Sequence, residues 1–315
     1  MPTPVPSGLV IRDLLAWAKA AQGAYATATE RAYQTDFNAF RAWCARAQQS
    51  PLPAEPETVA AYLRAESVDG KAVATIRRRA ATIARLHTAA GLPSPCGSEV
   101  VRLALRAIAR ERGTQQRQAT PLTLRDTQRI EAKVLTEDVR LKDIRDVALL
   151  LVGKDLLARA SEIVSLTLDA VAFDLDDGTA HVALRRHKTS TETQECLIGP
   201  EAAGALQRWL RAAAIASGPL FRSVTKGGKA TAMPLSTRDV GRILKSLATR
   251  ARLDASHVSS HSMRVGTAVD CVAANIDAAS IMQAGGWTSV RMVARYTARL
   301  AAKRGAIARL HKLGG

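Results

Sequence analysis

The residues best suited to chemistry lie near the carboxyl end of the chain, where one tyrosine stands alone. The sequence holds 4 tyrosines, and Tyr296 is the only one that follows Tyr62. A tyrosine hydroxyl can act as a nucleophile and form a covalent intermediate. The ordinary alternative is that a tyrosine at the border of an apolar helix stripe fills the core and keeps its hydroxyl in water.

A second group is the pair His261 and Arg264, which are three residues apart and therefore share one face of a helix. Ser259 or Ser260 is placed to cap that helix. A phosphodiester requires a fixed guanidinium for its non-bridging oxygens and a neighbouring donor or proton acceptor, and this pair offers both. Because the chain is rich in arginine, a pair of this kind can arise by chance and proves little by itself.

Two further positions add charge. Arg159 follows an apolar helix, and Glu162 three residues later can orient the guanidinium or a neighbouring histidine. The alternative for this pair is an ordinary surface ion pair. Lys188 lies in the segment LRRHKTS of a predicted hairpin, with no other lysine between Lys154 and Lys226. Taken alone, Lys188 is most simply a solvated lysine.

The order and spacing of the whole set carry more information than any single member. Arg264 precedes Trp287 by 23 residues, and Trp287 precedes Tyr296 by nine. In this arrangement the chain resembles the tyrosine recombinases, the integrase family. The resemblance is strongest over HSMRVGTAVDCVAANIDAASIMQAGGWTSVRMVARYTARL (261–300), extends through 144–163 and is looser over 77–95. It therefore reaches both halves of the chain.

The resemblance implies a reaction on duplex DNA in which a tyrosine attacks a scissile phosphate. The products are a 3′-phosphotyrosyl link and a free 5′-hydroxyl. Because that link keeps the phosphodiester energy, rejoining requires neither ATP nor metal, and we expect no cofactor. The matching positions are Tyr296 as nucleophile, Arg159 and Arg264 as clamps, His261 and Trp287 as further donors, Lys188 as acid for the leaving oxygen, and Glu162 as the orienting carboxylate.

One of these positions departs from the pattern of most family members, which have histidine where this chain has Trp287. An indole N–H can donate but cannot exchange a proton. A phenol has a pKa of about 10 in water and must lose its proton as it attacks. The resemblance therefore assigns more of the proton transfer to Lys188 and His261 than in relatives with histidine.

Composition supports a polyanionic partner. The chain has 45 Lys+Arg against 28 Asp+Glu, a net charge of +17, and both halves are positive. Nucleic acid is the leading interpretation, because a polyanion relieves this self-repulsion. Anionic membrane is the rival, although a membrane-surface protein usually concentrates its charge on one amphipathic helix. Aromatic residues make up 4% of the chain, which disfavours single-strand binding and favours duplex DNA.

The sequence also predicts a cytoplasmic protein, and the resemblance implies one that is nucleoid-associated in a prokaryote or related to phage. No apolar run approaches the roughly 18 residues of a membrane span, and MPTPVPSGLVIRDLL is unlike a signal peptide. The 4 cysteines lie far apart without a CxxC pair. We expect them to be reduced and mostly buried, and we expect no metal site.

The elements that must position these residues are mainly helical. Apolar spacing predicts helices over 9–21, 28–48, 57–65, 72–90 and 98–110, which form a DNA-binding bundle over 1–113. The resemblance makes this bundle a core-binding domain. A polar linker over 114–121 precedes a catalytic domain over 122–315, which is predicted to be mostly helical with a small antiparallel sheet. The resemblance implies that the two domains enclose DNA as a C-shaped clamp.

Within the predicted bundle, two helices present basic or polar faces suited to a major groove or to phosphates. Their alternative is a solvated surface without a partner. The predicted DNA-contact residues are Arg31, Gln34, Arg41, Arg77, Arg78, Arg79 and Arg85.

The resemblance further implies an assembly. Two protomers would bind inverted half-sites, and four would form a ring in which the basic tail after Tyr296 docks into the next protomer. Strands would then exchange through a Holliday junction, with no small-molecule substrate. The tail could instead fold onto its own domain. The rival functions are a type IB topoisomerase, which nicks and closes DNA as a monomer, and a DNA-binding protein with an inactive site.

Overall fold

A computed structural model describes Lys19 and residues 23–114, 118–186 and 193–304, with side chains to residue 297. The chain divides into two compact units, Met1–Arg117 and Gln118–Gly315. The predicted helix over 9–21 lies outside the described residues, apart from Lys19. Among the described residues, no helix is both long and apolar enough to cross a membrane.

The first unit is a bundle of helices, as the apolar spacing predicts. Pro56 starts the second helix, where a missing backbone N–H costs nothing, and Gly113 ends the fourth with φ 69°. Phe40, Tyr62 and Ile83 are fully or almost fully buried in the bundle core. Its helices are α1 (Thr27–Arg46), α2 (Pro56–Val68), α3 (Val73–Ala89) and α4 (Glu99–Arg112).

The second unit is mostly helical with two small antiparallel sheets, which confirms the predicted fold class. The strands β1 (Val171–Phe173), β2 (Ala180–Leu184) and β3 (Gln194–Ile198) form one sheet in that order, and β4 (Arg222–Val224) and β5 (Ala230–Pro234) form the other. The helices are α5 (Leu124–Val134), α6 (Leu141–Asp155), α7 (Ala160–Ser165), α8 (Pro200–Ala212), α9 (Thr237–Arg250), α10 (Ser262–Ala273), α11 (Ala278–Gly285) and α12 (Val290–Arg304).

Helix α6 is the centre of this unit and is buried along almost its whole length. Leu149 and Leu150 are fully buried in a core that also contains Trp209 of α8 and Leu244 of α9. A helix that is buried on all sides requires packing partners on all sides, and its buried charged residues form ion pairs. Because α6 is fixed in this way, the turn that follows it starts from a rigid support.

The segment before the first sheet begins as a helix. Residues 160–165 form the short helix α7, and strand β1 begins at Val171. The carboxylate of Glu162 accepts the backbone N–H of Arg159 at 2.7 Å and closes the first helical turn. This local cap outweighs the β-branched residues that follow.

A close backbone contact joins the start of the second unit to α10. An ideal Cβ on Gly266 would lie 1.9 Å from the carbonyl oxygen of Leu122. Leu122 is held from both sides, since its N–H donates to Ser262 at 3.1 Å and its oxygen accepts from Lys154 at 2.8 Å. The neighbouring backbone therefore has little freedom to move away.

We expect Gly266→Ala to lower the free energy of unfolding by about 1–3 kcal/mol, the usual cost of overpacking. The matched control is Gly204→Ala in α8, where a Cβ would meet nothing within 4 Å. That substitution should leave stability unchanged or raise it by up to about 1 kcal/mol, since alanine favours a helix interior. Urea unfolding followed by circular dichroism measures both, and equal midpoints for the two variants would contradict the argument.

Candidate active site

The turn after α6 positions the first charged pair of the site. Leu157 has φ 44°, which redirects the chain before Arg159, the N-cap residue of α7. The Arg159 guanidinium lies 2.5 Å from Glu162 Oε1, and its side chain is 41% exposed while that of Glu162 is 5% exposed. The buried carboxylate therefore orients a guanidinium that remains accessible from solvent.

Helix α10 positions the second guanidinium. It begins at Ser262, directly after His261, and the Ser259 hydroxyl accepts the backbone N–H of His261 at 3.2 Å. Arg264 lies in the first turn with a side chain that is only 3% exposed. It donates to the carbonyl oxygens of Leu157 and Gly285, the latter at 2.8 Å.

Burial and neighbouring charges set the protonation states of Arg264 and His261. Burial and the charge of Arg159 lower the pKa of Arg264 to about 10, although Glu162 opposes the shift. Partial loss of solvent, followed by the charges of Arg264 and Arg159, lowers the pKa of His261. At pH 7 the arrangement therefore presents charged guanidinium groups beside a neutral imidazole, which can accept a proton.

Trp287 and Tyr296 complete the group on its apolar side. The Arg264 guanidinium lies 4.8 Å from the Trp287 ring centroid, a cation–π contact. The rings of Trp287 and Tyr296 are 5.6 Å apart. Trp287 belongs to a small buried cluster with Leu157 and Val293, and Tyr296 packs against this cluster. Tyr296 thus packs against the core, as the ordinary alternative requires, and also lies next to the charged residues.

The structure therefore places six of the seven predicted catalytic residues next to one another. Glu162 contacts Arg159 and lies 3.9 Å from Arg264. Arg264 contacts the ring of Trp287, which in turn contacts the ring of Tyr296. His261 is close enough to both arginines for their charges to shift its pKa. The seventh residue, Lys188, lies outside the described residues.

Arg186 belongs to the same group, and the sequence analysis missed it. This arginine follows β2, and its side chain is 4% exposed. It donates to the carbonyl oxygens of Leu156 at 2.9 Å and of Ala284, and it lies 3.6 Å from Glu162. The only local signal was its place in the segment LRRHKTS, two residues before Lys188.

Among the residues that the structure describes, no three His, Cys, Asp or Glu side chains come together as a metal site would require.

The predicted DNA-contact residues of the first unit are mostly exposed. Arg31, Gln34 and Arg41 of α1 and Arg77 of α3 are open to solvent. Arg85 is also exposed and contacts the hydroxyl and ring of Tyr25.

Two neighbouring arginines differ from this pattern. Arg78 is half exposed and forms a 2.8 Å ion pair with the buried carboxylate of Asp36. Arg79 points inward, is 13% exposed, and pairs with Glu66 and with the Tyr62 hydroxyl at 2.9 Å. The prediction of Arg79 as a DNA contact is therefore corrected, because this side chain joins α3 to α2 inside the bundle.

Comparison with known proteins covers both units. Residues 122–303 match the phage integrase family. An integrase/recombinase XerD homolog of Selenomonas ruminantium is 33% identical over 277 residues, covering 85% of this chain and 80% of the relative. Recombinase Cre of Escherichia phage P1 is also 33% identical, over 287 residues, covering 85% of this chain and 83% of the relative.

The fold is also similar to solved structures. The XerH site-specific recombinase, bound to palindromic difH substrate in a post-cleavage complex, superposes with a TM-score of 0.62. The identity is 13%, and the match covers 98% of this chain and 91% of that chain.

Proposed function

This chain belongs to the phage integrase family of tyrosine recombinases, and we propose that it breaks and rejoins duplex DNA at specific sites through Tyr296. The observation that carries the proposal is the continuous contact from Glu162 through Arg264 and Trp287 to Tyr296. This contact brings the phenol of Tyr296 close to the buried guanidinium of Arg264 and the exposed guanidinium of Arg159. Two guanidinium groups in this position can bind the oxygens of one phosphate.

In the first step the Tyr296 oxygen attacks the scissile phosphorus. The new O–P bond forms as the bond to the 5′-oxygen breaks, which leaves a 3′-phosphotyrosyl link. The phenol proton passes to His261, whose lowered pKa keeps it neutral and able to accept. Lys188 supplies the proton that the leaving 5′-oxygen takes up. Rejoining reverses these steps with the 5′-hydroxyl of another strand.

The guanidinium groups act where negative charge develops on the phosphate. Arg159 is the exposed clamp, and Arg264 is the deeper clamp, already fixed by two carbonyl groups and the Trp287 ring. Donors that are fixed before the reaction do not have to reorganise during it. Trp287 contributes stacking and an N–H donor, with no role in proton transfer.

Binding rests on both units. The net charge of +17 and the exposed side chains of α1 and α3 suit the phosphates of a duplex. We propose that two protomers bind inverted half-sites and that four protomers join two duplexes through the carboxyl-terminal tail. The palindromic substrate of the XerH complex supports the first part of this arrangement.

The proposed function is tested by trapping the covalent intermediate. The protein is mixed with a library of random duplexes that carry one nick, so that a short 5′-hydroxyl fragment diffuses away after cleavage. We expect a denaturant-resistant adduct enriched in related sequences, with DNA attached to the Tyr296 peptide in mass spectrometry. Binding to the library without any adduct would contradict the proposal and favour an inactive DNA-binding protein.

A second measurement separates recombination from simple nicking and closing. Two short duplexes containing the enriched sequence are incubated with the protein, and four-way junctions are resolved on a native gel. A recombinase should form these junctions, whereas a monomeric topoisomerase should only relax supercoiled DNA.

The contribution of the basic face is tested by Arg77→Ala. This change should weaken DNA binding at all sequences and reduce the slope of log affinity against log salt by about one unit, the value for one lost phosphate contact. The control is Arg102→Ala in α4, an exposed arginine paired with Glu99 that removes the same charge from a different helix. Equal slopes for the Arg77 variant and the unmodified protein would rule out this contact.

A further inference from the structure

Two helix ends meet beside the site, and each exposes carbonyl oxygens that require donors. Helix α6 ends at Asp155, and the carbonyl groups of Leu156 and Leu157 follow it. Helix α11 ends with Ala284 and Gly285, before Gly286 turns the chain with φ 60°. The chain continues from the first end to Arg159 and from the second to Trp287.

Arg186 connects these two ends. Its Nη2 donates to Leu156 at 2.9 Å and also to Ala284, and its Nη1 donates to Leu157 at 3.4 Å. Arg264 connects the same two ends through Leu157 and Gly285. Two guanidinium groups therefore hold the turns together, one from the end of β2 and one from α10.

A second contact reinforces the connection through Arg186. The Arg186 Nε donates to the Gln194 side-chain oxygen at 3.0 Å, and the amide nitrogen of Gln194 donates to the Gln283 carbonyl at 3.0 Å. An ideal Cβ on Gly286 would lie 3.0 Å from Arg186 Cδ. The guanidinium and its aliphatic stem are thus both fitted against the end of α11.

Negative charge faces the two buried guanidinium groups. Each helix carboxyl terminus carries a partial charge of roughly −0.5, which adds to the Glu162 carboxylate that is shared with Arg159. Arg186 lies 3.6 Å from Glu162, and Arg264 lies 3.9 Å from it. Removal of one guanidinium would leave carbonyl groups without donors and would change the separation of the two turns.

We propose that Arg186 is a positioning residue for strand cleavage, an inference that rests on the proposed function. All three of its guanidinium nitrogens already donate to protein groups, so we assign it to the protein framework and not to the phosphate. It sets the distance between the turn that leads to Arg159 and the turn that leads to Trp287 and Tyr296. The nucleophile and the exposed clamp thereby face one phosphorus atom.

The test measures single-turnover adduct formation on the nicked duplex that the unmodified protein selects. Arg186→Met should slow adduct formation by roughly 10–100-fold, the usual effect of losing a supporting partner. DNA affinity should stay within about 3-fold, because no phosphate contact is lost. Arg186→Lys should be intermediate, since one ammonium group retains the charge but does not connect both turns.

The matched control is Arg145→Met. Arg145 is also buried, pairs with Asp146 at 2.6 Å and donates to the Arg222 carbonyl, away from the site. This variant should lose stability but keep the adduct rate per folded molecule, with the folded fraction measured by circular dichroism. Equal slowing in the Arg145 and Arg186 variants would show a general structural role and overturn the proposal.

A modified substrate identifies the step that Arg186 supports. Sulfur in place of the leaving 5′-oxygen departs without a proton, so it rescues loss of the leaving-group acid. Arg186→Met should stay slow on this duplex, whereas Lys188→Ala should recover. Recovery of the Arg186 variant, or an unchanged rate on the normal duplex, would overturn the proposal. Failure of the proposed function is distinct, since the unmodified protein would then form no adduct.

Discussion

Tyr296→Phe should abolish the covalent protein–DNA adduct and leave DNA affinity unchanged. The phenylalanine ring can keep the packing against Trp287 and Val293, so only the hydroxyl is lost. Loss of an enzyme nucleophile can reduce the rate by about 10⁶-fold, and here we expect at least about 10⁴-fold. Adduct formation on the nicked duplex and a binding titration on the intact duplex measure the two effects separately.

The control for this prediction is Tyr33→Phe in α1, a tyrosine that stacks edge-on against Tyr25. It removes one phenol from the first unit and should leave the adduct rate unchanged. An adduct that persists in the Tyr296 variant at a comparable rate would identify another nucleophile and refute the assignment.

The parts of the site that the sequence predicted are those with a local pattern. His261 and Arg264 are three residues apart, so a single helix was enough to place them together. Arg159 and Glu162 have the same spacing and contact each other in the first turn of α7. The contact between these two pairs could be expected only from the family resemblance, because the pairs are about a hundred residues apart in the sequence.

The role of Arg186 could not be predicted in this way. Its partners are backbone carbonyl groups from two turns that are far from it in sequence. Every residue has a carbonyl group, so no residue type identifies such partners. The buried position becomes apparent only when α6 and α11 are packed together.

The prediction that Arg79 contacts DNA was wrong, and the sequence itself contains the reason. Three consecutive arginines on a helix are spread over about 200°, so they cannot all face the same way. Arg79 follows Ile76 by three residues and precedes Ile83 by four, which places it on the buried stripe. The start of helix α5 is also marked in the sequence, since Thr123 and Asp126 form a capping box.

Arg264→Ala should have the second largest effect, a loss of about 10²–10³-fold in the rate of adduct formation. The side chain is held by Leu157, Gly285 and the Trp287 ring before any DNA is bound. Its removal eliminates a preorganised clamp on the phosphate and leaves two buried carbonyl groups without this donor. We therefore expect lower stability as well, with DNA affinity reduced by less than about 10-fold.

Chemical rescue separates the two consequences of Arg264→Ala. The substitution leaves a space of guanidinium size bordered by the Trp287 ring and Glu162. Methylguanidinium at concentrations too low to unfold the protein should restore part of the adduct rate. Arg264→Lys should remain slow without rescue, because the lysine fills the space with a single ammonium group and lacks the planar fork.

Arg264→Ala and Arg77→Ala should have opposite effects on DNA affinity and on the rate of adduct formation. Arg77 is exposed on α3, so its loss should change affinity and salt dependence and spare the chemical step. Arg264 is buried beside the phenol, so its loss should change the chemical step and nearly spare affinity. Equal losses of affinity and rate in the two variants would mean that Arg264 only contributes to binding, and the assignment of a preorganised clamp would be wrong.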